Sequence, residues 1–180
     1  MGSRFEGAGS MGAERKLSRW LSEAGRVAVA GIGNPLRMDD SVGVKIVQDL
    51  RGKVPENVYL AECETVPENF VQPIANFKPT HVLLIDAAAL GREPGYRTLA
   101  DPGELASISS VSTHSLPLSI FCNLIEKETE AKIALLLIQP GRSDFGTGLT
   151  PEVECAANEI ASFLAKALSR GQGKRRGRFS

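Results

Sequence analysis

Two stretches of this chain, HVLLIDAAA (81–89) and AKIALLLIQP (131–140), are almost uninterrupted runs of Val, Ile, Leu and Ala. A strand that shows one face to water alternates polar and apolar residues, whereas a strand apolar on both faces must be covered on both. RVAVAGI (26–32) is of the same kind, and VYLAECE (58–64) is a fourth short strand with more polar content. Between them lie patterns of helical period: SVGVKIVQDLRG with Val42, Ile46 and Leu50 in register, NFVQPIANF, LPLSIFCNLIEKE and PEVECAANEIASFLAKALSR. Strand and helix alternate, which predicts an α/β domain of three layers, a mostly parallel twisted sheet with helices on both faces. PGYRTLADP, punctuated by Gly and Pro, adds an edge strand.

A chain of 180 residues with 42% hydrophobic content builds one substantial core. We divide it into a leader or flexible arm (1–13), a single α/β domain (14–169) and a basic, disordered tail (170–180) containing GQGKRRGRFS. Within ERKLSRWLSEAG, Leu17, Trp20 and Leu21 recur at helical spacing, so a short helix precedes the first strand. The 21 basic and 21 acidic side chains balance, and no global field favours nucleic acid or an acidic membrane. No apolar run approaches the roughly 18 residues of a membrane span, and the N-terminus lacks a secretory pattern. The expectation is a cytoplasmic protein, taken as a monomer. Cys63, Cys122 and Cys155 are widely spaced and form no CxxC, so each is expected to be a small buried hydrophobe.

The turn after the first strand, AGIGNPLRMDDSVG, resembles a dinucleotide-binding loop only in part. Gly31 and Gly33 are present, but Leu36 stands where the third glycine belongs, and Asp39 and Asp40 would repel the pyrophosphate at the helix start. No organic cofactor is expected. GxxxxGK[ST], GxSxG and HExxH are all missing, and two histidines, His81 and His114, cannot assemble a multi-histidine zinc protease. Cys122 follows His114 by eight residues but falls within an apolar helical pattern, where burial raises a thiol pKa and suppresses its nucleophilicity.

What remains is a set of polar residues at strand ends. In a parallel sheet, ligands bind beyond the C-terminal ends of the strands. Asp39 and Asp40 follow strand one, Asp86 closes HVLLID, and His114 precedes a helix in STHSLPL. Two carboxylates and an imidazole make a first shell for a divalent first-row ion with open positions for substrate or water. One of the adjacent acids also suffices to cap the helix near Ser41. We give the cap to Asp39 and the ligand to Asp40, a division that spacing alone leaves close to even. A carboxylate closing an apolar strand is costly unless paired, bonded or metal-bound, which singles out Asp86. His81, opening its strand, has no polar company and is read as structural.

GIGNPLRMDDSVG, VPEN, LLIDAAALGREPG, STHSLPL and LLLIQP, in this order and at these separations, closely resemble the hydrogenase maturation endopeptidases. The PEN and THSLPL stretches look most like the branch serving formate-hydrogenlyase-type enzymes. The resemblance covers roughly residues 26 to 168. It implies removal of a C-terminal extension from the large-subunit precursor of a nickel-iron hydrogenase. It also implies a metal-contacting set of Asp40, Asp86 and His114, with the nickel supplied by the substrate and not stored. An O,O,N set agrees with transient reading, unlike the soft thiolate cage that holds nickel permanently. Water attack on the scissile carbonyl, aided by the metal or a rim carboxylate, is the mechanism implied. The family's acidic residue followed by two glycines corresponds here to Glu62-Cys63-Glu64; Glu62 takes the acidic, catalytic position, while Cys63 and Glu64 add bulk and charge.

Two other readings compete. A nickel-site checkpoint or chaperone would bind the precursor without cutting it, and no residue here is an obvious covalent nucleophile. Peptidyl-tRNA hydrolases share a GLGNP-like turn, but they need a histidine soon after it and a basic groove for tRNA, where this chain has Met38-Asp39-Asp40 and zero net charge.

Overall fold

A computed structural model of the chain describes residues 7–108 and 115–170. Strands β1 (Val27–Ile32), β2 (Val58–Glu64), β3 (His81–Ala87), β4 (Arg97–Ala100) and β5 (Lys132–Ile138) form one sheet in the order β2-β1-β3-β5-β4. β2, β1, β3 and β5 pair in parallel, and the edge strand β4, drawn from PGYRTLADP, pairs antiparallel to β5. Helices α1 (Gly7–Ser22), α2 (Val42–Leu50), α3 (Val71–Phe77), α4 (Leu105–Ile108), α5 (Ser115–Glu128) and α6 (Pro151–Arg170) complete the predicted α/β architecture.

Two apolar clusters lie on the two faces of the sheet. On one, Leu17 and Leu21 of α1, Ile46 and Leu50 of α2 and Ile160 and Leu164 of α6 pack over Val27, Val29, Leu83, Ile85 and Leu136. On the other, Val71 and Ile74 of α3 and Leu118, Phe121 and Ile125 of α5 pack over Ala28, Ala30, Val82, Leu84 and Leu135. The two lists alternate along each strand, as side chains on a pleated strand must. β3 is buried at all seven positions because both clusters draw on it, which is the physical reason for its unbroken apolar run.

α2 lies unusually close to the sheet. A Cβ on Gly43 would stand 2.1 Å from the Ile85 carbonyl oxygen and 2.5 Å from that of Ile32, and one on Gly31 would stand 2.3 Å from the Gly43 oxygen. The glycines flanking the DD pair therefore set a close backbone approach of helix to strand, not a phosphate cradle. This packing brings the turn before α2 over the ends of β1 and β3.

Some expectations need correction. α1 begins at Gly7 and buries Ala13, so part of the stretch set aside as an arm is helix. Cys155 is exposed on α6, beside Glu159, and not buried. Cys63 and Cys122 are buried, and burial pushes both thiols up to about 12. His81 sits at the end of β3 remote from the DD turn, edge-on to Trp20 at 4.7 Å between ring centroids. Burial, then the Lys132 charge, lowers its pKa. Tail residues 171–180 lie outside the described residues. Among the described residues no helix is long and apolar enough to cross a membrane.

Gly43→Ala should cost at least the upper end of the roughly 1–3 kcal/mol that overpacking exacts, because the added methyl meets backbone on two sides. Urea unfolding of that variant, beside Gly52→Ala at an open position, measures the difference.

Candidate active site at the sheet rim

β1 is followed by Gly33, whose φ of 138° lets the chain reverse; a Cβ there would stand 1.7 Å from the Asp40 carbonyl oxygen. The following turn folds back as a 3-10 turn, Met38–Ser41, that leads into α2. Asp40 stabilises the reversal, its Oδ2 accepting from the Asn34 backbone N–H at 2.9 Å. Asp40 is 5% exposed and Asp86, at the end of β3, is 2% exposed. Asp86 Oδ1 accepts from the Ala87 N–H at 2.8 Å. Burial pushes the Asp86 carboxyl well above the usual carboxylate range, the Asp40 charge raises it further, and the Ala87 bond offsets part of the rise. The two acids, 46 residues apart in sequence, are thus close enough to act on one another at one rim.

Asp39 does not cap α2. Its side chain turns the other way and is fully buried among donors from the loop after β5: Gly141 N–H at 2.8 Å, Arg142 N–H at 2.8 Å, Thr150 N–H at 2.6 Å and the Thr150 hydroxyl at 2.8 Å. Four donors compensate a buried carboxylate for its lost hydration. Backbone bonds add to the clamp, with Asp39 N–H donating to Arg142 O, Met38 N–H to Gly146 O and Gly146 N–H to Leu36 O. Nothing local in the sequence announces this partnership, since the donors lie more than 100 residues away.

Glu62 is not brought to the pair. Ala61 and Cys63 belong to the α3/α5 side of the sheet, so Glu62 faces α2, where Gln48 Nε2 donates to it at 2.9 Å and Arg51 forms an ion pair with it. Asp86, flanked by Ile85 and Ala87 of the α2 side, faces the opposite way. Among the described residues no three His, Cys, Asp or Glu side chains are grouped to hold a metal ion. Of the three expected ligands, Asp40 and Asp86 come together at the rim, and the third, His114, lies outside the described residues.

The family model described as hydrogenase maturation protease matches residues 44–167. The crystal structure of the nickel-iron hydrogenase maturation protease HycI from Thermococcus kodakarensis superposes with a TM-score of 0.78 at 34% identity, covering 85% of this chain and 98% of that one. A Methanocaldococcus jannaschii protein provisionally named a hydrogenase maturation protease is 33% identical over 156 residues, 82% of this chain and 91% of its own length. The hydrogenase 3 maturation protease of Escherichia coli is 26% identical over 129 residues, 72% of this chain and 82% of its own.

Removing the clamp with Asp39→Ala leaves the three N–H groups of Gly141, Arg142 and Thr150 without that acceptor. Bonds to charged groups are worth about 1.5–3 kcal/mol each and are not additive, so a loss of about 3 kcal/mol is expected. Amide exchange confined to 141–150 would locate it. For Asp86 the folded state holds its proton to higher pH than the unfolded chain does. Its contribution is therefore present below the ordinary carboxylate range and lost as pH rises towards its raised value. Asp86→Asn should flatten that slope and exceed the unaltered protein in stability at pH 8, with the gap closing towards pH 4 in urea titrations.

Proposed function

This chain belongs to the hydrogenase maturation protease family, and from that premise we propose that it removes the C-terminal extension of a nickel-loaded hydrogenase large-subunit precursor. The observation that carries the reading is the Asp40–Asp86 pair: two buried carboxyls side by side at the rim where a parallel sheet receives ligands, one of them in surroundings that disfavour its ionisation. A cation delivered by the substrate reverses that balance, since positive charge favours the ionised carboxyl that burial disfavours. Asp40, Asp86 and His114 read the precursor's nickel, which is part of the substrate. A precursor lacking nickel offers nothing to offset the cost of ionising Asp86, so selection for loaded precursor is built into the electrostatics.

Docking through the metal fixes the C-terminal segment over the rim. Water adds to the scissile carbonyl, a rim carboxylate takes its proton and passes it to the departing amine, and the C–N bond breaks. Glu62, committed to Gln48 and Arg51, holds the end of β2 to α2 and supports the rim from behind.

The test is intact mass of nickel-loaded and nickel-free precursor after incubation with this protein and with Asp40→Asn, Asp86→Ala and His114→Ala. Loss of a short C-terminal peptide only from loaded precursor is expected, with each variant slower by roughly 100-fold or more. Full processing by Asp40→Asn and His114→Ala would refute the metal reading. Bound but uncut loaded precursor with the unaltered protein would make it a checkpoint.

A further inference from the structure

Five large apolar side chains stand exposed among the described residues, and three of them, Leu36, Val66 and Phe145, occupy the loops that follow β1, β2 and β5. All three therefore lie on the rim that carries Asp40 and Asp86. Single exposed apolar residues scattered over a surface need no explanation, but three on the rim that carries the candidate site invite one. Leu36 is 53% exposed and Phe145 is 85% exposed. Their backbones are tied together, with Gly146 N–H donating to Leu36 O at 2.8 Å and Met38 N–H donating to Gly146 O at 3.0 Å.

A loop that carries a fully wet phenylalanine can ordinarily turn it inward. Here the loop is held by the four hydrogen bonds to the Asp39 carboxylate, and Arg37 Nε donates to Ser143 O at 3.2 Å on the same segment. The clamp thus maintains an apolar side chain in water, on the loop bonded to the turn that presents Asp40.

We infer that Leu36 and Phe145 form a pre-set apolar lip that sets specificity by binding apolar side chains of the precursor polypeptide beside the segment carrying the nickel. The inference rests on the protease reading of the same rim. Metal contacts alone accept any loaded nickel site, whereas the lip adds a requirement on the polypeptide next to it. Because the clamp fixes the lip before binding, little ordering entropy opposes the contact.

The test compares Phe145→Ser, Leu36→Ser and Phe145→Leu with the unaltered protein, using nickel-loaded large-subunit precursor. Processing is followed by intact mass to give KM and kcat, and equilibrium binding is followed separately by fluorescence anisotropy of labelled precursor. Burying a side chain of this size predicts a KM raised about tenfold or more in each serine variant, with kcat within about twofold. Phe145→Leu should recover most of the loss, and the melting temperature should not move in the Phe145 variants, whose side chain is in water, and should move little in Leu36→Ser, which is half-exposed. An unchanged KM in both serine variants, or a fall in kcat alone, would overturn the lip. If the unaltered protein binds precursor without cutting it, the protease reading fails and the lip is judged on Kd: tenfold weakening by Phe145→Ser sustains it, and no change refutes it. Neither binding nor cutting by the unaltered protein would overturn both.

Discussion

The buried carboxylate of Asp39 is the contact on which the rim depends. It takes hydrogen bonds from three backbone N–H groups and one hydroxyl, and all come from the loop that follows β5. A carboxylate without hydration is tolerable only when donors surround it, so the turn after β1 and the loop after β5 can be buried together or not at all. Once they are joined, Asp40 has no freedom to swing away from the end of β3. Asp86 then sits beside a second acid in a place that already disfavours its ionisation. One acid of the DD pair is committed to the clamp, and the other is the one that stands beside Asp86.

The close seat of α2 works with the clamp. Gly31 and Gly43 allow backbone to approach backbone, which draws the 3-10 turn down onto the ends of β1 and β3. A larger residue at either position would lift the turn and separate the two acids. The glycines that superficially suggest phosphate binding serve instead to bring an acidic turn within reach of a buried carboxyl, an arrangement that would repel an anion.

Much of this was legible in the sequence. HVLLID and ALLLI are apolar on both faces, so β3 and β5 had to be interior strands, and the rule for ligands at the C-terminal ends of parallel strands placed Asp40 and Asp86 on one rim. The partner of Asp39 was not legible, because it is set by a loop more than 100 residues on. Spacing pointed to a helix cap, the commonest task for an acid before a helix. The direction of Glu62 was equally hidden. Which face it takes depends on the register of β2 against β1, where Gly31 stands beside Glu62, and a shift of one residue would reverse it. The helical periodicity of α1 was visible from Leu17 onward, but Gly7 to Ser10 show no apolar pattern that would extend it.

Arg97 of β4 is 4% exposed, and its guanidinium bonds Glu14 of α1 at 2.6 Å and Glu159 of α6 at 2.8 Å. The first helix thus meets an anchor that is completed only near the far end of the chain. During synthesis α1 precedes β4 and α6, which build the surface that receives it. The Arg97 anchor therefore closes only once both Glu14 and Glu159 are in place, which makes the joining of α1, β4 and α6 a single step.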